Sequence, residues 1–388
     1  MTRPLHRVML VLVVALAAAG LLVVLLQPRA ARLTSDFTIN YSAGMLVRQG
    51  HLAAPYQQAE LGDMMRRVAP DGGIDPRLPF SLPLVAALPY AFLSLLPFEV
   101  AFRLWQIVAL ILLAVAVLIL QRARPLGRAA PAFALLGLLA AVPTWAALTE
   151  GQVTPLLLVG GALVIAALRS DGWALAAGAG ALLAVKPQYL PLGLLVLLAA
   201  RQWRALLAAG AAAALVLLSP LAGRVEAMTG MIHNALRANQ AVAVRLDESW
   251  IGVLGPLLPA AAATAVAIAI YVMVLAALGV IAWRRPASVV GFATLAIAMT
   301  VLASPHALPH DLLLLAVPAW LAIDLFGGAR LPNPVPGLLL VDLALLIDLR
   351  GGWLPLGSIV MTAVVGAYGW QFRQRTRQQG QPASVRAA

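Results

Sequence analysis

Cysteine is absent from all 388 residues, which removes disulfides and thiolate-held metals from consideration. Charge is nearly as scarce, at 11% of residues against 62% hydrophobic. No soluble domain of this length manages with so little polar surface, so the chain belongs in a membrane. The alternation of a transmembrane barrel, in strands of roughly ten residues, is also missing. Stretches such as Val108–Leu120 are apolar on every face. Carboxylates are outnumbered, 15 against 27 basic residues, and nowhere form Asp-x-Asp. A divalent cation wants clustered carboxylate oxygens, so a bound metal is not expected, nor is any cofactor.

The formal net charge of +12 would suit nucleic acid if it lay on one surface. Instead the basic residues border apolar runs, at Arg122/Arg124/Arg128, Arg201/Arg204, Arg284/Arg285 and in the tail Arg373/Arg375/Arg377/Arg386. That distribution is the positive-inside signal, and it excludes nucleic acid as the partner. With those clusters in the cytoplasm, spans are expected at 8–26, 99–120, 130–147, 153–168, 172–185, 188–200, 204–222, 260–283, 287–303, 310–326, 336–348 and 354–371. The first, behind Arg3 and Arg7, reads as an uncleaved signal anchor. The expectation is an all-α polytopic membrane protein of about twelve spans, each needing ~20 residues if upright. Both termini face the cytoplasm, and residues 372–388 form a basic tail.

Phe80–Leu96 is apolar and long enough to cross, but counting it would invert everything downstream. With Pro83 and Pro89 inside it, the segment reads as juxtamembrane or re-entrant, part of a first external loop over 27–98. That loop holds amphipathic patterns near 37–49 and 57–68. A second long external loop covers 223–259. Lys186-Pro187 separates two short apolar runs, as in broken helices that line a cavity.

This topology brings the few polar motifs to one side, where polar groups near lipid mark a site. Asp36 follows the first span. It is placed either to cap the helix over 37–49 or to take a proton from a substrate hydroxyl. Glu150-Gly151-Gln152 sits between two spans. Lys186 with Gln188 suits a cationic cavity, with snorkelling to the interface as the alternative. His306 and His310 are spaced to share a helix face, near a helix start that favours an anion such as phosphate. Asn239, Gln240 and Arg245 lie in the second long loop.

In order, Asp36-Phe37 with Tyr41, Pro55-Tyr56, Phe80…Pro83-Leu84…Pro89, Gly151-Gln152, Ala184-Val185-Lys186-Pro187, Asn239-Gln240 and Ser304-Pro305…His310 resemble glycosyltransferase family 87. The likeness runs over roughly residues 36 to 320. It implies a GT-C-type bundle with juxtamembrane helices in its first external loop. It also implies a polyprenyl-phosphate-sugar donor, mannose or another hexose, and a lipid or glycan hydroxyl as acceptor, at an extracytoplasmic site in the cell membrane. Asp36 occupies the place of the family's base. Tyr41, Tyr56, Glu150, Gln152, Lys186, Gln188, Asn239, Gln240, Arg245, His306 and His310 are the substrate-binding candidates. Glu150 stands where relatives commonly carry Asn. A transporter or flippase for a lipid-linked or amphipathic solute is the competing expectation; the absence of an internal repeat weighs against it.

Overall fold

The computed structural model describes residues 3–70, 72–241 and 248–326, together with Leu345. Among the described residues every regular element is helical. α1 (Arg3–Leu26) leads through a five-residue turn, α2 (Arg29–Leu33), into the first long loop. That loop carries α3 (Asp36–Arg48), α4 (Gln58–Val68) and α5 (Leu88–Leu93). The bundle continues with α6 (Phe98–Ala123), α7 (Ala130–Ala140), α8 (Val142–Glu150), α9 (Thr154–Ser170), α10 (Trp173–Leu183), α11 (Leu190–Ala199) and α12 (Trp203–Leu218). It closes with α13 (Arg224–Ala241), α14 (Trp250–Leu254), α15 (Ala260–Trp283), α16 (Val289–Leu302) and α17 (Ala316–Phe326).

Helix occupies every predicted span up to residue 326. By length and apolarity α6, α15 and the joined run Trp203–Arg237 suffice to cross a bilayer. α7 and α8, bent by 66°, make a fourth if counted as one span. The remaining apolar helices are shorter, and the spans expected at 336–348 and 354–371 lie outside the described residues, as does the tail. Val11, Leu25, Ile107, Ile111, Val272 and Met273 are exposed on α1, α6 and α15. Apolar surface of that extent is stable against lipid rather than water.

The segment 80–96 is a 3-10 turn (Leu84–Ala87) followed by α5. Ten helical residues reach about 15 Å, half of a ~30 Å hydrocarbon layer. It packs against α3. Gly44 makes the approach possible, since a β-carbon there would lie 2.6 Å from the backbone nitrogen of Ala91. The second long loop, expected over 223–259, carries helix of its own. α12 runs through a 3-10 turn (Ser219–Gly223) into α13, and Asn234 on α13 donates to the carbonyls of Tyr56 and Phe80. The two long loops are thereby bound together.

α9 marks the two ends of the bundle. Its first residue, Thr154, donates to Asp311 at 3.2 Å. In its last turn Arg169 donates to the carbonyls of Arg122 and Ala123, where α6 ends. α11 repeats the pattern: a 3-10 turn (Pro187–Tyr189) joins Lys186 to its start, and two residues past its end the guanidinium of Arg201 binds the Trp283 carbonyl and lies 4.8 Å from that ring's centroid. Guanidiniums at helix C-termini meet unpaired carbonyls and the negative end of the dipole. The arginine clusters at 122–128, 201–204 and 284–285 therefore lie at one end and the polar motifs around Asp36, Glu150, Lys186 and Asp311 at the other. The 17 residues of α9 separate them by about 25 Å at 1.5 Å per residue.

Candidate active site

Three chain reversals build the site. The first ends α8. Gly151 is left-handed at φ 62°, the usual way to stop a helix, and the turn directs Glu150 and Gln152 towards α3. Phe37, fully buried, packs so tightly on Gly151 that a β-carbon on the glycine would sit 2.6 Å from that of Phe37. The Phe37 ring is fixed from its other sides by Phe102 (centroids 5.0 Å apart) and Tyr90 (5.5 Å), both edge-on. Asp36, one residue earlier, is thereby set between Glu150 and Gln152. Its backbone N–H donates to Glu150 Oε2 at 3.3 Å, and Gln152 Nε2 donates to Asp36 Oδ2.

The capping expectation for Asp36 is corrected. Ser35 holds the N-cap position and Asp36 is the first residue of α3, its side chain spent on Gln152 and not on its own helix. A carboxylate in a first turn still gains from the helix dipole. Asp36 remains partly exposed. Burial raises its carboxyl above the ordinary 3.8, while Lys186, Gln152 and His306 pull it down and Asp311 pushes it up.

The second reversal breaks α10 from α11. Lys186 is extended (φ −121°, ψ 93°) ahead of Pro187, as the residue before proline prefers. Lys186 is the chain's only lysine among its 27 basic residues. Its ammonium does not stand free: it meets Asp311 Oδ1 at 2.6 Å and His310 Nε2 at 3.3 Å.

The third reversal precedes the 3-10 helix Pro309–Leu315. Pro309 opens this helix, so His306 lies before it in the loop, and the shared helix face expected for His306 and His310 does not exist. Both nonetheless reach the cluster. His306 lies within electrostatic range of Asp36, and the buried His310 has Nε2 3.7 Å from Asp311 Oδ1.

Asp311 was missed in sequence, hidden beside two histidines and a proline that drew attention first. It is fully buried. Oδ1 accepts from Lys186 and from Thr154, and Oδ2 from the Leu308 N–H at 3.2 Å. Tyr90 was missed too; its hydroxyl donates to the Gly151 carbonyl at 3.4 Å.

Asp36, Glu150, Gln152, Lys186, His306, His310 and Asp311 thus form one constellation. Tyr41 and Tyr56 direct their hydroxyls elsewhere, to the carbonyls of Leu96 (2.7 Å) and Leu82 (2.9 Å); both shape the first long loop. Gln188 offers its carbonyl to the Tyr271 hydroxyl. Asn239 and Gln240 fall in the last turn of α13, their side chains outside the described residues, as is Arg245 altogether. Among the described residues no group of three or more His, Cys, Asp or Glu is placed to hold a metal.

A family model described as glycosyltransferase family 87 matches residues 80–305. The match takes in Glu150, Gln152 and Lys186, begins after Asp36 and stops just before His306. No curated protein and no solved structure matches.

Proposed function

The chain belongs to glycosyltransferase family 87 and is a membrane glycosyltransferase, and from that premise we propose that it moves a hexose from a polyprenyl-phosphate donor to a lipid or glycan hydroxyl, with Asp36 as general base. The observation that carries this choice is the contrast between two aspartates. Asp311 is sealed from solvent and has both oxygens filled by a cation, a hydroxyl and an amide. Such a carboxylate is enclosed on every side and cannot reach a substrate hydroxyl. Asp36 is partly exposed, carries one side-chain donor, and is pushed by burial towards holding a proton.

In this mechanism the acceptor oxygen attacks the anomeric carbon as its proton passes to Asp36. The bond from that carbon to the phosphate oxygen breaks, and polyprenyl phosphate leaves with the electron pair. A single displacement inverts the anomeric centre. Phosphate is a good leaving group, so one base and a cationic cradle suffice. Lys186 supplies the charge of the cradle, His306 and His310 supply imidazole groups beside it, and Glu150 with Gln152 borders the acceptor side of Asp36. The full protein is a GT-C-type bundle of about twelve spans in the cell membrane, in keeping with hydrophobic runs near ~20 residues. Its termini are cytoplasmic and its site extracytoplasmic.

The test is transfer from radiolabelled polyprenyl-phosphate mannose in membranes carrying wild type or Asp36→Asn. Loss of the base lowers the rate roughly a hundred- to ten-thousand-fold. Near-wild-type transfer by folded Asp36→Asn would remove the assignment.

A further inference from the structure

Lys186 has two aspartates within range, and catalysis by Asp36 leaves the second, Asp311, without a role. Lys186 lies within electrostatic range of Asp36 yet is in contact with Asp311. In a poorly solvated cavity an ammonium seeks the nearest carboxylate, and a carboxylate so paired is a weak base. We propose that Asp311 is a positioning residue that anchors the Lys186 ammonium away from Asp36, leaving the Asp36 carboxylate free to accept a proton. This rests on the assignment of Asp36 as base.

Three features support it. Asp311 is itself held by Thr154 from α9 and by the Leu308 N–H, so it does not follow the lysine. Lysine is a point charge on a flexible stem, able to swing between partners where arginine's planar fork is not, and this chain uses lysine here and nowhere else. The groups around Asp36 offer the freed ammonium one destination. Lys186, His306 and Asp311 act on it electrostatically, Gln152 donates to its carboxylate, Glu150 accepts from its backbone N–H, and Tyr90 lies within its electrostatic range. Of these, Gln152 is a neutral amide, Tyr90 a phenol, and Glu150 feels the charge of Asp36 but not that of Lys186, which does act on Asp36.

The sole lysine makes the test direct. The full chain is produced with isotope-labelled lysine and placed in lipid nanodiscs, so that one side-chain ammonium resonance reports Lys186. Asp36→Asn is expected to leave that resonance near its wild-type position, whereas Asp311→Asn displaces it. Adding Asp36→Asn to Asp311→Asn displaces it again, because the released lysine has moved to Asp36. In transfer assays Asp311→Asn falls at least tenfold, and Asp311→Glu, which restores the anchor's charge, recovers part of the loss.

The proposal is overturned if Asp36→Asn alone shifts the lysine signal as far as Asp311→Asn does, for Lys186 is then already shared. It is equally overturned if the double variant matches Asp311→Asn. Should Asp311→Asn not fold, the Asp36→Asn spectrum decides alone: an unmoved signal supports the anchor and a large shift removes it. The two assignments fail separately. Active Asp36→Asn with an unmoved lysine signal removes the base and keeps the anchor; inactive Asp36→Asn with a shifted signal removes the anchor and keeps the base.

Discussion

Gly151 and Phe37 touch so closely that no side chain fits between them: a β-carbon on the glycine would come within 2.6 Å of that of Phe37. The contact sets the distance between the end of α8 and the start of α3, and with it the place of Asp36.

Gly151→Ala therefore acts on the chemistry without touching a reacting group. The left-handed backbone, at φ 62°, costs a β-carbon about 1–2 kcal/mol, and the overlap with Phe37 adds about 1–3 kcal/mol. A displacement of Asp36 on the order of 1 Å lowers transfer about a hundredfold. Thermal unfolding in detergent and the transfer rate are both expected to fall. Unchanged transfer would show that Asp36 is placed by something else.

The buried pair of Lys186 and Asp311, 12% and 0% exposed at the side chain, makes a stability prediction. Removing one partner leaves an uncompensated charge and costs about 3–5 kcal/mol. Lys186→Met with Asp311→Leu removes both and is expected to cost less than either alone, as seen by denaturation of the three variants. Additive losses would mean that the two charges do not depend on one another.

The pH profile follows from Asp36. Burial raises its carboxyl above 3.8, against the lowering pull of Lys186, Gln152 and His306. Transfer needs the carboxylate, so its rate climbs with pH through a midpoint above 3.8. Gln152→Leu deletes a hydrogen bond to the charged form and moves that midpoint higher. Stability runs the other way. The folded protein keeps this proton to higher pH than the unfolded chain, so this contribution is complete below the unfolded value and is lost as pH rises through the folded one. A midpoint that drops in Gln152→Leu would contradict the contact.

Sidedness can be read with thiol labels, since there is no native cysteine to interfere. Thr34 and Ser170 are exposed at opposite ends of the bundle. Thr34→Cys is expected to react with an impermeant reagent on intact cells, and Ser170→Cys only after lysis. Reversed labelling would put the site in the cytoplasm and rule out an extracytoplasmic reaction.

Helix positions were legible because they are written locally: apolar runs mark α6 and α15, and prolines mark the break at Lys186. Asp36, Glu150, Gln152, Lys186 and the histidines came together because charge parity sends their turns to one end. What sequence hid was pairing at a distance. Nothing near Asp311 announces Lys186, and nothing near Tyr41 or Tyr56 shows that Leu96 and Leu82 take their hydroxyls. The cap was misplaced for a related reason: Asp36 satisfies the local preference, but a glutamine 116 residues away binds its carboxylate instead.

The Lys186–Asp311 pair joins residues 125 apart, and the chain is made from one end. At 5–20 residues per second, Asp311 emerges about 6–25 s after Lys186. Throughout that interval the Lys186 ammonium has Asp36, made earlier, but not Asp311 as a carboxylate within range. In a product cut short before residue 311 the lysine turns to Asp36 for good. The last-made aspartate of the site thus releases the first-made one, and the base becomes free only once the chain has grown past residue 311.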